Sequence, residues 1–242
     1  MTATVTRSRP DLTRPGVGVV KVSTWDVGSP QAQRAAVAAI ERAWLSRDWP
    51  DTGLISYSVY VGEDGRTLMH YSQWRNEEAY RAFVAGERDE RNAEIDAAVP
   101  GVRRLRLDSY DLYRSSPTEG DDRQPGSVAL IEVDFEGPGR ARAREWVDTV
   151  FAALEGPPGE ADGPRAVADG SLAAHFHVSL DGARALNLAE WVDAASHEAM
   201  MNAPKGPAGE VPAEWRRVHE FPGLASSQVR RYTPALSLGA GA

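Results

Sequence analysis

"GLISYSVYVGEDGRTLMHYSQW" occupies residues 53–74, and "GSLAAHFHVSLDGARALNLAEW" occupies residues 170–191. A shift of 117 positions lays Gly53, Asp64, Gly65 and Trp74 on Gly170, Asp181, Gly182 and Trp191, so the chain contains an internal repeat. In each copy an Asp-Gly pair separates two alternating runs. Glycine tolerates positive φ, which lets a hairpin close there, and each copy reads as strand, turn, strand. The repeat extends in both directions. "VVKVSTWDVGSP" (19–30) resembles "VALIEVDFEGPG" (128–139), each a strand leading to a helix start, and "VPGVRRLRLDSY" (99–110) resembles "FPGLASSQVRRY" (221–232), each a turn leading to a last strand.

Helices fill the gaps. Val37, Ile40, Trp44 and Leu45 recur at helical spacing within 30–47, as do Tyr80, Phe83 and Val84 within 77–85. Each copy therefore reads β-α-β-β-α-β, the ferredoxin-like order, with an antiparallel sheet covered by helices on one face. The fold class is α+β, with two ferredoxin-like repeats expected to pack their open sheet faces together as an internal dimeric α+β barrel. The organisation reads as a disordered, frayed N-terminal tail over 1–15, repeat 1 over 16–113, a Gly/Pro-rich linker "RSSPTEGDDRQPGS" over 114–127, repeat 2 over 128–234 and a C-terminal tail over 235–242. Repeat 2 carries a longer loop, "EGPPGEADGPR" (155–165), before its second strand.

Composition narrows the function classes. The 242 residues suit two domains of ordinary size. Lys and Arg number 27 against 35 Asp and Glu, a net charge of −8 with no basic run. That disfavours nucleic acid and anionic membrane as partners, since both are bound largely by cationic side chains. The chain has no cysteine, which removes disulfides, thiolate metal sites and Cys nucleophiles, and points to the cytoplasm. No apolar stretch reaches membrane-spanning length, and "MTATVTRSRPDLTRP" lacks the apolar block of a signal peptide.

Strand alternation locates the candidate site. With the turn at 62–65, Val61 would pair with Arg66 and Tyr57 would face His70. Leu68, His70, Ser72 and Trp74 then share a face with Ile55, Tyr57 and Val59, and the second copy puts Asn187 and Trp191 with Leu172, Ala174 and Phe176. That face is expected beneath the helices. A polar residue, His70 or Asn187, thus stands four positions before each tryptophan in a covered layer, where it needs a partner. His175 and His177 share the opposite face of their strand, and no third ligand accompanies them to make a metal site. The "ERDERNAEID" stretch (87–96) reads as a solvated helix face.

These residues resemble the antibiotic biosynthesis monooxygenase family, small ferredoxin-like proteins that pair into dimeric α+β barrels. Members carry a stretch like "NYAQW" on the third strand, a tyrosine six residues later and a tryptophan late in the first helix. Repeat 1 offers "HYSQW", Tyr80 and Trp44, with His70 in place of the family's asparagine; repeat 2 offers Asn187 and Trp191, with His197 in the tyrosine place. The resemblance implies oxidation of an anthrone-like or hydroquinone aromatic polyketide by O₂ with no metal, flavin or other cofactor. It implies Trp44 and Trp74 as pocket walls, Tyr80 as a hydrogen-bonding partner of a substrate oxygen and His70 as base, and Tyr57, facing His70 across the hairpin, joins Trp44 as a substrate-binding residue. In repeat 2, Asn187 would orient a carbonyl and His197 would exchange a proton. Repeat 1 is the expected active half, in a chain that is either a monomer closed internally or a further homodimer. Two other functions fit the same fold: haem degradation, for which His197 speaks, and a non-enzymatic binding or scaffold barrel.

Overall fold

The computed structural model describes residues 1–6, 9–155, 169–203 and 211–241. The long loop expected at 155–165 lies, from 156 onward, outside the described residues. Nine strands and six helices follow one another among the described residues: β1 (Ala3–Val5), β2 (Val19–Asp26), α1 (Pro30–Leu45), β3 (Leu54–Gly62), β4 (Thr67–Trp74), α2 (Glu77–Gly86), α3 (Arg88–Ala98), β5 (Arg103–Pro117), β6 (Ser127–Phe135), α4 (Arg140–Glu155), β7 (Ser171–Ser179), β8 (Arg184–Trp191), α5 (Ala194–Asn202), α6 (Ala213–His219) and β9 (Leu224–Ala240). The two compact units are Met1–Asp111 with Arg231–Ala242, and Leu112–Arg230.

In the first unit the strand order is β1-β9-β3-β4-β2-β5, and every adjacent pair is antiparallel. The last four of these, β3-β4-β2-β5, are the ferredoxin-like set of repeat 1. In the second unit β7-β8-β6 repeats that order, with β5 beside β7 and β9 beside β6. The β-α-β-β-α-β reading therefore holds in both units.

The local sequence explains the element ends. Ser29 caps α1, accepting from the Ala32 N–H with Pro30 at the first helical position, a favoured start because Pro has no N–H to leave unpaired. Asn76 caps α2 and its repeat counterpart Asp193 caps α5 in the same way. Gly18 and Gly126 begin the two repeats at equivalent places. A Cβ on either would stand 2.2 or 2.3 Å from a main-chain carbonyl oxygen, of Arg75 and Val192 respectively, so only glycine lets the strand approach so closely.

Four expectations need correction. The β3–β4 ladder pairs Val61 with Leu68, Val59 with His70 and Tyr57 with Ser72, two residues away from the register read from the turn. The loop is longer because Asp64 accepts from the N–H groups of Arg66 and Thr67. An even slip leaves every side chain on its expected face, except at Ile55, the extra residue of a bulge. The N-terminal residues are not a frayed tail, for β1 pairs with β9, Leu12 is buried, and the carbonyls of Asp11 and Leu12 accept from the Gln73 amide. Nor is 235–242 a tail, since β9 runs to Ala240 along β3 and β1. Residues 114–117, read as linker, continue β5.

The run of β9 through 232–238 along β3 has an energetic consequence. Without it, β3 presents an open edge with unpaired N–H and C=O groups. We expect residues 1–117 expressed alone to self-associate or aggregate on size-exclusion chromatography; a monodisperse monomer would show that β9 is dispensable to the first unit.

Candidate active site

β2 and β4 lie side by side in the first unit, pairing Val19 with Trp74, Lys21 with Ser72, Ser23 with His70 and Trp25 with Leu68. These residues face α1, α2 and α3. Between sheet and helices lies a partly open cavity of about 720 Å³, within the range that holds a drug-sized ligand, roughly 300–1,000 Å³. Trp25, Trp44, Tyr57, Trp74, Tyr80 and Phe83 provide its aromatic walls. All five residues singled out in repeat 1 (Trp44, Tyr57, His70, Trp74 and Tyr80) line this one cavity.

The walls brace one another. The Trp44 ring packs 4.7 Å from Tyr57 and 5.8 Å from Phe83, and Trp74 meets Tyr80 edge-on at 5.3 Å, favourable arrangements for the ring quadrupoles. The Trp74 indole N–H donates to Ser72 Oγ at 2.8 Å, and the Trp25 N–H donates to Ser23 Oγ at 3.1 Å. Each serine accepts from an indole and keeps its own O–H to donate.

His70 is 4% exposed, with Nδ1 2.6 Å from the Tyr57 hydroxyl. Its Nε2 is buried without a hydrogen-bond partner among the described residues. Burial, aided by the Arg104 charge, lowers the imidazole pKa to about 3. Burial raises the Tyr57 phenol pKa. This bears on the base role expected of His70: an imidazole so hard to protonate is a poor proton acceptor at neutral pH. Burial likewise raises the Tyr80 pKa, against a hydrogen bond and the charge of Arg88.

Several site residues were not singled out in the sequence. Lys21 is 5% exposed. Its Nζ lies 2.6 Å from both Glu77 and Ser109 and 4.1 Å from the Tyr80 ring centroid. Lys21, Ser23 and Trp25 alternate along "VVKVSTW", and these polar groups at alternate places in an apolar strand were the available signal. The "ERDERNAEID" stretch is also more than a solvated face. Arg91 and Ile95 of α3 are buried, Arg91 lies 4.8 Å from the Trp44 ring centroid, and Arg88 lines the cavity. Leu105 and Leu107 line it while 54% and 46% exposed, which marks the mouth.

The second unit has the corresponding face with different chemistry. Register equates Lys21 with Ala129, Ser23 with Ile131, Ser72 with Ala189 and Tyr57 with Ala174. Loss of the serine counterpart leaves the Trp191 N–H buried without a partner among the described residues, and loss of the tyrosine counterpart leaves Asn187 Oδ1 so. His197 is buried with its ring 5.2 Å from Trp191. Phe151 packs 5.2 Å from Phe176 and takes the place of Trp44 in the helix burial pattern. Its neighbours Val147, Val150 and Phe176 belong to a continuous apolar cluster. His175 binds Ser115 and Glu190 at 3.1 and 3.3 Å, and His177 bonds the His175 carbonyl. No group of three metal-ligating side chains occurs among the described residues, and no helix there is long and apolar enough to cross a membrane.

No family profile and no curated protein matches the sequence. Solved structures do match its fold. An anthrone oxidase-like protein is 17% identical, with a TM-score of 0.65 over 99% of this chain and 97% of that one. A candidate monooxygenase of Fusobacterium nucleatum gives 11% identity and a TM-score of 0.59 over 94% and 97%, and one of Lactobacillus acidophilus 12% and 0.52 over 90% and 95%. The α+β architecture is thus shared with anthrone oxidase-like and monooxygenase-like proteins, end to end.

The buried imidazoles make stability depend on acid. His70 and His177 both have folded pKa values of about 3. The ordinary value in an unfolded chain is about 6.5. Above about pH 6.5 neither state protonates them. Between about 6.5 and about 3 the unfolded chain binds protons that the folded chain refuses, so stability falls as pH falls, by up to about 1.4 kcal/mol per pH unit for each histidine. Urea unfolding from about pH 7 to about pH 4.5 should show this decline, and His70→Gln should make it shallower by the share of one histidine, leaving that of His177. A pH-independent midpoint across that window would refute the assignment.

Proposed function

Taking as premise the fold shared with the anthrone oxidase-like protein, we propose that the first unit is a cofactor-independent monooxygenase pocket for a planar, anthrone-like aromatic. The observation that carries the reading is the gathering of Trp44, Tyr57, His70, Trp74 and Tyr80 around one aromatic-walled cavity. The reaction inserts one oxygen atom: a ring CH₂ and O₂ give C=O and water. Such a substrate, once ionised to its enolate, is electron-rich enough to reduce O₂ itself.

The protein's work is then electrostatic and steric. Aromatic walls sandwich the ring system and exclude water, which strengthens every polar contact inside. Ser23 and Ser72 offer hydroxyl protons to the substrate oxygens, and the cations Lys21, Arg88 and Arg104 at the cavity wall favour the enolate. Tyr80, half-buried with a raised pKa, keeps a proton for the peroxide that forms as O₂ adds. In the second unit the equivalents of Lys21, Ser23, Ser72 and Tyr57 are all apolar, which supports assigning turnover to the first unit alone.

Oxygen uptake by metal-stripped protein with an anthrone tests this. We expect turnover in the wild type, a loss of about 10²-fold or more in Tyr80→Phe, and near wild-type rates in Asn187→Ala. Loss in Asn187→Ala with full activity in Tyr80→Phe would move the reaction to the second unit. No uptake with any anthrone or hydroquinone would leave a binding protein.

A further inference from the structure

His70 poses a question of hydrogen-bond accounting that the cavity alone leaves open. Two arrangements satisfy its 2.6 Å contact with Tyr57. If Nδ1 carries the proton and donates to the phenol oxygen, Nε2 holds a lone pair and could act as a base. The phenol's own O–H then needs another acceptor, and the contact with His70 is the one hydrogen bond of the Tyr57 hydroxyl among the described residues. If instead Tyr57 donates to Nδ1, its O–H is satisfied and one orphan is left, the Nε2–H. The first arrangement buries two unsatisfied groups and the second buries one. Leaving a polar group unpaired in a dry site is costly, so the second prevails.

We infer that Tyr57 fixes His70 as a neutral imidazole protonated at Nε2, and that this N–H is a hydrogen-bond donor awaiting a ligand oxygen. This rests on the oxygenase reading for its chemistry, although the tautomer stands independently of it. An enolate or carbonyl oxygen on the substrate is the acceptor that the orphan N–H lacks. Tyr57 is a positioning residue, acting through His70.

The surroundings hold the imidazole neutral. The Trp25 ring lies 4.1 Å from it and screens it from water. The charged groups around the cavity from other elements are Arg104, paired with Asp96; Lys21, paired with Glu77; Arg91, paired with Glu87; Arg88, paired with Asp89; and Arg106, paired with Asp108. No carboxylate is in hydrogen-bond contact with either imidazole nitrogen among the described residues. In the second unit Ala174 stands where Tyr57 does, so Asn187 has no equivalent partner.

The test uses the full-length protein labelled with ¹⁵N, with the His70 ring signals identified by their loss in His70→Gln. Two-bond ¹H–¹⁵N correlations should show Nε2 protonated and Nδ1 bare, unchanged from about pH 5 to about pH 8. A proton on Nδ1, or titration within that range, overturns the inference. Tyr57→Phe should mix the two tautomers while the circular dichroism spectrum is retained; an unmixed Nε2–H signal would show that Tyr57 does not position it. The donor role is read separately, from quenching of tryptophan fluorescence by a dihydroxyanthraquinone. His70→Ala should weaken its binding about 10-fold or more, and His70→Asn, which restores an N–H donor, should recover most of that loss. Equal weakening in both variants refutes the donor role even if the tautomer is right. A failure of oxygen uptake with intact quinone binding would instead sink the oxygenase reading and leave the donor in place.

Discussion

Polar groups on the helix-covered face of a sheet must be answered from within that layer, because water does not reach them. This constraint organises the first unit. The Trp74 N–H requires Ser72, the Trp25 N–H requires Ser23, and His70 requires Tyr57. Each pair bridges positions that strand geometry brings close: two residues apart on one strand for the tryptophan–serine pairs, and diagonal across β3 and β4 for the third. Satisfying these groups holds the aromatic rings upright, and upright rings keep a cavity from collapsing. Where the answering groups are lost, as in the second unit, the Trp191 N–H and Asn187 Oδ1 are buried without partners among the described residues, and Phe151 packs in an apolar cluster with Val147, Val150 and Phe176.

The repeat made most of the fold legible. Two hairpins with Asp-Gly turns, two helix starts and two last strands, all in one order, admit few topologies. The period of two in a strand also protected the site assignment from a wrong register. Pairing Val61 with Leu68 instead of Arg66 moves partners by two and leaves Tyr57, His70 and Trp74 on one face. An error of one residue would have turned His70 to the opposite face.

What sequence could not supply was the identity of partners far apart in the chain. The pairing of β9 with β3 joins residues about 175 positions apart, and nothing in "TPALSLGA" names its neighbour. The strand was readable and its place was not. Lys21 was missed for a related reason. A lone lysine in a strand is usually at an edge or in solvent, and its burial depends on Glu77 and Ser109, 56 and 88 positions away. The "ERDERNAEID" run misled by charge count, since Arg91 covers Trp44 with its guanidinium and aliphatic stem while its neighbours meet water. Arginine over an aromatic ring is as much a wall as an ion.

Covalent fusion of the two repeats lets the polar cavity face of one half differ from the corresponding face of the other. In a symmetric homodimer every substitution falls on both copies, so replacing Ser72 by alanine would strip the indole partner from both sites at once. In one chain the substitutions separate. Ala129, Ile131, Ala174 and Ala189 remove polar or bulky groups from the second face, while Lys21, Ser23, Tyr57 and Ser72 remain on the first. The cost left behind in the second unit is visible in the Trp191 N–H and the Asn187 side-chain carbonyl, both buried without a partner among the described residues. A core optimised only for stability would replace both with apolar groups of similar shape. Trp191 and Asn187 thus keep the polar positions of the repeat without the serine and tyrosine counterparts that answer them in the first unit.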